Sequence, residues 1–431
     1  MTCNAWVPES LDTAGLLAEH GPALGERVLW LGHTVLTRLV VDPRCRDAGE
    51  APLSAAILRR TLGWRYLKQV RELAGRLGYV LHDRSYSTGR FSQGYRIGRE
   101  YVHARLRQYT IRDAGLLENI RRERERMADE QARRLSEPGA TISRQVFEHL
   151  RQNLDRLRID RVEPRNPTEQ IIIDRIRRRA SWSTVCEYGR LHTVLTSTPK
   201  RLRPFLHVDG RRLVGVDIGE SQPLFLALGY AKHTTTTAVN SHTPQPHEAP
   251  PLMLHHDYQT GNDSGYAHRG ESPTMLHHAT ADLGDWLGLC ERRGLYQAVA
   301  DLLAVERKAV KESVMAALFG RPEHRTRASR ALERLFPDTW AAIRATKREF
   351  GYASLAHAGQ RMESAFVFGR CIPRLMAEYK SLPLLTIHDS IVTSEGNEQI
   401  VRDVMADEFA RLGLHPTLTV EQFAQNPKRA S

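Results

Sequence analysis

Between Leu53 and Ile97 the spacing of apolar residues changes from a helical to a strand period. Ser54 stands where it can cap a helix whose apolar Ile57, Leu58 and Leu62 share one face, and Gly63 marks its end. A second helix is predicted from about Trp64 to Leu77. Its buried stripe is Leu67, Val70, Leu73 and Leu77, while Arg65, Lys68, Arg71 and Arg76 stay outside and Gly78 stops it. Val80 to His82 and Tyr95 to Ile97 read as two short strands joined by a basic tip, Asp83 to Gly94. Further on, Leu213-Val214-Gly215-Val216 is a β-rich run delivering Asp217, followed by a Gly bend and a helix start at Leu224-Phe225-Leu226. A hairpin is predicted where two β-prone runs flank His388-Asp389-Ser390, with Asp389 at its turn.

The intervening chain is polar. From Arg112 to Leu135, Glu and Arg recur at spacings that support a solvent-laced helix, a connector. Arg151 to Arg179 repeats this basic helical character, broken at Asn166-Pro167, and its run Arg175, Arg177, Arg178 and Arg179 could line a nucleic-acid backbone. Between Ala231 and His278 the composition shifts to Thr, His, Pro and Gly, an inserted loop whose paired histidines match no metal-binding spacing.

A length of 431 residues predicts two or three domains, and 41% hydrophobic with 26% charged residues excludes disordered, collagenous and membrane classes. No apolar stretch approaches a membrane span, and the first thirty residues, with Glu9, Asp12, Glu19 and Glu26, do not read as a secretory leader, so a cytoplasmic location is expected. The five scattered cysteines form no CxxC pair and read as reduced thiols. Sixty-two Lys and Arg against fifty Asp and Glu leave a charge of +12, which favours a polyanionic partner such as nucleic acid.

Three clusters carry chemistry. Asp217 sits at a strand end, where a divalent ion can reach it. Arg307, Lys311, Met315 and Phe319, followed by Gly320, are spaced by four and drift only about 40° per step around a helix. The resulting stripe suits a nucleoside triphosphate, cations on the phosphates and the ring against sugar and base. Asp389 is the second strand-borne carboxylate, and two such groups can hold two Mg²⁺ for phosphoryl transfer. A Ser-His-Asp hydrolase is the competing reading of His388 and Asp389, yet no GxSxG elbow occurs.

In this order, Asp217, the Arg307-x3-Lys311-x7-Phe319-Gly320 helix and His388-Asp389-Ser390 resemble motifs A, B and C of the family A DNA polymerases and the related single-subunit RNA polymerases. The resemblance covers roughly Gly189 to Phe423. It implies that Asp217 and Asp389 are metal ligands for two Mg²⁺, with Mn²⁺ a possible substitute. It also implies that Arg307 and Lys311 bind the triphosphate, with Met315, Phe319 and Gly320 completing the nucleotide site. His388 would sit by the primer end, and Arg190, in Gly189-Arg190-Leu191-His192-Thr193, would contact template or primer. Ser221-Gln222 looks like the DNA enzymes. By contrast Ser390 and Ser313-Val314-Met315 look more like the RNA enzymes, and Pro223-Leu224 stand where a sugar-discriminating glutamate is expected. The helix–turn–helix–hairpin order near the N-terminus resembles a winged helix, in which Arg65, Lys68 and Arg71 would meet DNA.

The fold implied is α+β, a right-hand palm with reduced fingers around Asp285–Phe350, preceded by a mainly helical region. Its expected divisions are 1–108 as a winged-helix-like DNA-binding domain, 109–188 as a basic helical connector or thumb-like region, and 189–431 as palm and fingers, with the insertion at 231–278. The function implied is template-directed nucleotidyl transfer on a DNA template and primer from nucleoside triphosphates, with the sugar open and no membrane involved. Two alternatives stand beside it: a non-catalytic DNA-binding replication or regulatory protein on a degenerate polymerase scaffold, and a primer-making or template-independent transferase.

Overall fold

The computed structural model describes residues 3–83, 93–239 and 280–423. Strand β1 (Cys3–Pro8) leads into the long helix α1 (Thr13–Val41), which Asp12 caps by accepting from the Gly15 N–H and which bends at Gly21-Pro22, where Gly21 takes a φ of 76°. The second half of α1 presents Val28, Leu29, Leu31 and Val35 to the interior. After α2 (Pro43–Ala48) come β2 (Ala51–Leu53), α3 (Ala55–Leu62), α4 (Leu67–Arg76), β3 (Val80–His82), β4 (Gln93–Ile97) and β5 (Leu106–Ile111). The first short sheet has the order β2-β4-β3, with Ala51 opposite Tyr95 and Val80 opposite Ile97, and β1 pairs with β5.

Local details depart from the sequence pattern. Leu58 and Leu62 are buried as expected, but Ile57 is 40% exposed, because an eight-residue helix has room for only a narrow buried stripe. Helix α4 starts at Leu67 instead of Trp64, which is left 73% exposed beside the Arg65 guanidinium. Arg71 does not stand free outside, since its guanidinium lies 5.5 Å from the centre of the Tyr95 ring, with two of its nitrogens buried. Arg65 and Lys68 are exposed. Most of the expected tip between the strands falls outside the described residues, as does most of the insertion.

Helix α5 (Ala114–Ser136), capped by Asp113, is the charged connector, and its charges satisfy one another. Arg121 bonds Glu118 and Glu125, Arg133 and Arg134 bond Glu130, and Glu123 ties Arg126 to Arg60 of α3. Next come α6 (Arg144–Arg156), β6 (Leu157–Ile159) and α7 (Pro167–Arg177), so the expected basic helix is interrupted by a strand. Four isoleucines of α7 are buried, which turns Arg177, Arg178 and Arg179 outward. The hairpin β7 (Ser183–Val185) and β8 (Leu191–Thr193) precedes α8 (Val194–Ser197) and β9 (Leu206–Val208).

The main sheet is built on β10 (Arg211–Ile218), which is followed by α9 (Ser221–Val239) and the helices α10 (Leu283–Glu291), α11 (Leu295–Leu303), α12 (Arg307–Phe319), α13 (Arg327–Leu335) and α14 (Pro337–Phe350). Helix α15 (Ala353–Phe366) runs through a π-helical turn, Val367–Cys371, into α16 (Ile372–Glu378). The chain closes with β11 (Leu385–Ile387), β12 (Ser390–Ser394), α17 (Glu398–Ala410) and β13 (Leu418–Gln422). Strand order is β11-β12-β10-β9-β6, with β13 also paired to β10.

This sheet is covered on both faces, and alternation along β10 divides the molecule's two cores. Val216 and Ile218 join Ile391 in a core with α9 to α17, whereas Leu213 joins Val392, Phe423 and the residues of α1, α4 and α7 in the other. One hydrophobic core therefore runs from Cys3 to Phe423 and includes residues of the N-terminal sheet, the connector and β10. No helix among the described residues is long and apolar enough to cross a membrane.

A two-aspartate candidate active site

The register of β10 against β12 sets Val216 opposite Ile391, and Ile387 of β11 pairs with Ser390. Asp217 and the two-residue turn His388-Asp389 therefore fall at the same end of neighbouring strands. That turn needs left-handed backbone, and His388 supplies it with a φ of 55°, a conformation that costs a non-glycine residue about 1–2 kcal/mol. Gly215 leaves room for the arrangement, since a Cβ there would lie 2.8 Å from the Ser390 hydroxyl. On the other edge, β13 puts Thr419 opposite Asp217 and Glu421 opposite Gly215.

The electrostatics mark this strand end as a site that wants positive charge. Burial, then repulsion from Asp389 and from Glu421, pushes the Asp217 carboxyl up to about 6, while Lys311 and Arg293 work in the opposite sense. Lys311 is exposed on α12 and holds no ion pair among the described residues. Glu363 of α15 is buried, and burial together with the Asp389 charge raises it to about 7 against the pull of Arg190 and Gln222. His388 is open to solvent on one side, yet the crowding of protein around it, followed by Arg190, pushes its imidazole down to about 4. Its ring meets that of His192 edge-on at 6.4 Å.

Two residues expected at the site, Arg190 and Gln222, are held by one partner, Glu363. Arg190 follows Gly189 in the β7–β8 turn and donates to Glu363 at 2.7 Å, and Gln222, at the start of α9, donates to the other oxygen of the same carboxylate. Glu363 thus joins the β7–β8 hairpin, α9 and α15 beside Asp389.

The α12 stripe divides. Only Lys311 is directed electrostatically at Asp217. Arg307 bonds Glu220 at 3.0 Å and lies 5.7 Å over the Tyr296 ring, and the Tyr296 hydroxyl donates to the Met315 sulfur at 3.7 Å. Phe319 is half-buried against the core, and the Gly320 N–H closes the helix on the Ala316 carbonyl. Glu220 is itself buried in a left-handed conformation, φ 52°, and accepts the Leu295 and Tyr296 N–H groups at the start of α11. It clasps the strand–helix corner beside Asp217 to α11 and α12. Arg65, Lys68 and Arg71 lie on the N-terminal helices and take no part in this cluster.

Glu220, Glu363, Tyr296 and Glu421 were not picked out from the sequence. Glu220 carried a readable signal, a carboxylate on a Gly bend between a buried strand and a buried helix. Glu363 and Glu421 carried none, for each meets the site only through tertiary packing.

No group of three or more His, Cys, Asp or Glu side chains converges into a metal cage among the described residues. Two carboxylates at one strand end, repelling each other and lacking an ion pair among the described residues, do fit Mg²⁺, which takes one or two protein carboxylates and completes its shell with water and substrate phosphates.

No family model matches the chain, and no curated protein matches it. Among solved structures it is similar to the POL domain of Pol1 from M. smegmatis in complex with DNA primer-template and dNTP, at 11% identity, covering 93% of this chain and 69% of that one with a TM-score of 0.28. So low a score defines no shared fold, and the functional reading rests on the residues.

Proposed function

We propose that the chain is a nucleic-acid polymerase, a nucleotidyltransferase that extends a primer on a DNA template from nucleoside triphosphates. The observation that carries this reading is the meeting of Asp217 and Asp389 at one strand end, with Lys311 alongside. When bound at the two carboxylates, a pair of Mg²⁺ or Mn²⁺ ions supplies activation of the attacking 3′ hydroxyl and neutralisation of the leaving pyrophosphate.

The protein's own part is positioning and charge. Lys311 is free to meet the triphosphate. Arg307, fixed by Glu220 and half-buried, would supply the second cation for the phosphates. Met315, held under Tyr296, and the half-buried Phe319 form the surface for sugar and base. The Arg190–Glu363–Gln222 clasp holds the β7–β8 turn and α9 in fixed relation to Asp389, where template and primer would lie, with His388 at the primer end. In this reading residues 189–431 are a reduced palm and fingers. The α3–α4–β3–β4 unit within 1–108 is a winged helix that docks DNA through Arg65 and Lys68, and the region 109–188 connects the two.

A second reading, a non-catalytic DNA-binding protein on the same scaffold, is favoured by one feature, the engagement of Arg307 by Glu220 instead of by an open pocket. Manganese binding separates the two. The enzyme binds two Mn²⁺ per chain in the presence of a nucleoside triphosphate and loses them in Asp217→Ala, whereas equal binding by wild type and variant supports the scaffold.

A further inference from the structure

The loop between α12 and α13 and the C-terminal half of α14 line an open cleft of about 140 Å³ at the end of α12 remote from Lys311. The eight residues from Lys311 to Phe319 alone put it about 12 Å along the helix axis from that lysine. Five cations line this cleft and the recess beneath it, Arg321, Arg325, Arg344, Lys347 and Arg348, against two carboxylates, Glu323 and Glu333. Glu333 is spent on Arg325 and Arg344 at 3.2 and 2.9 Å. Arg321 and Arg348 are exposed and hold no acidic partner among the described residues. The floor adds a further cation, because Lys347 is buried, donates to the Ala317 carbonyl at 2.6 Å and lies 5.6 Å over the Trp340 ring, and Arg344, paired with Glu333 through Nη1, keeps its Nε buried without a hydrogen-bond partner among the described residues.

Packing gives no reason for an uncompensated cluster of this kind, since like charges drawn together cost free energy unless an anion joins them. At its rim Tyr352 is 45% exposed, with the Arg321 guanidinium 5.9 Å from its ring centre. An exposed aromatic beside a row of cations is what single-stranded nucleic acid requires: phosphates on the cations, a base on the ring.

We propose that this cleft binds the phosphodiester backbone of a single-stranded nucleic acid, with one base stacked on Tyr352. Phosphate is the recognised chemistry, and inorganic pyrophosphate is its other source. The site is separate from the Asp217–Asp389 centre and stands whether or not that centre transfers nucleotides.

The test measures fluorescence anisotropy of a labelled oligo-dT strand across a salt series for wild type, Arg321→Gln/Arg348→Gln, Tyr352→Ala and Asp389→Asn, with pyrophosphate binding followed by calorimetry. Arg321 and Arg348 are exposed and hold no ion pair among the described residues, so the double variant is expected to keep its fold, which a thermal melt checks. The proposal predicts at least tenfold weaker binding in the double variant. The log–log salt slope falls by about 1.4, the single-strand value for two lost phosphate contacts. Tyr352→Ala weakens binding about fivefold or more, and Asp389→Asn binds as wild type. Unchanged affinity and slope in the folded double variant would overturn it. So would loss of pyrophosphate binding with oligo-dT binding intact, which would reassign the cleft to a free polyphosphate.

Discussion

Replacing Glu220 by glutamine changes one atom's chemistry at the joint between the Asp217 strand and the α11–α12 helices. The carboxylate accepts from the Leu295 N–H at 3.0 Å, the Tyr296 N–H at 3.3 Å and the Arg307 guanidinium at 3.0 Å, so every partner is a donor. The new amide NH₂ has nothing to donate to, and at least one buried N–H loses its acceptor at about 1–3 kcal/mol. Loss of the negative charge at the start of α11 adds about 0.3–1 kcal/mol. The Arg307 pair adds no more than about 1 kcal/mol, because its guanidinium side chain is 39% exposed and screened. The expected loss is about 2–4 kcal/mol. Glu220→Ala leaves all three donors without their acceptor at once and is expected to lose about 3–5 kcal/mol. Glu220→Gly is milder than Ala by about 1 kcal/mol, since it relieves the left-handed backbone. Urea unfolding followed by tryptophan fluorescence measures this, because Trp286 is buried beside α9 and donates to the Pro223 carbonyl. The same variants release Arg307, so triphosphate affinity should fall with stability. A Glu220→Gln protein within about 0.5 kcal/mol of wild type would refute the clasp, since even one orphaned buried donor exceeds that.

Two further outcomes follow from charge. Burial, then Arg344, lowers the Lys347 ammonium from 10.5 to about 8, so between these values the unfolded chain binds more protons and stability rises with pH. The shift corresponds to about 3 kcal/mol, and the gap in stability between Lys347→Met and wild type should shift in favour of wild type by that order from pH 8 to 10.5; a gap independent of pH would contradict it. Duplex DNA binding should weaken with salt through Arg65 and Lys68. The double Gln variant should lower the log–log salt slope by about 2, and an unchanged slope removes these residues from the DNA contact.

Much of the scaffold was legible because local rules decided it. Gly63 and Gly78 end the N-terminal helices, and the run Leu384 to Thr393 forms its hairpin with Asp389 at the turn. What failed were side chains whose fate depends on a distant partner. Helical spacing places Arg71 outward, but Tyr95, 24 residues on, covers it. Spacing alone makes the α12 stripe one surface, yet Glu220 ties Arg307 to the strand–helix corner while Lys311 stays exposed. Glu363 could not be read at all, because its importance comes from meeting Arg190 and Gln222, 173 and 141 residues away in the chain.

The central claim is tested most directly by primer extension on a short DNA template with Mg²⁺ or Mn²⁺, supplying deoxy- and ribonucleotide mixes separately to wild type and Asp389→Asn. The account predicts template-complementary extension by wild type and none by the variant, with DNA binding nearly unchanged between them. Extension by Asp389→Asn at the wild-type rate would contradict the two-aspartate assignment. Absence of extension by wild type under either mix, with DNA binding intact, would turn the reading to the non-catalytic scaffold.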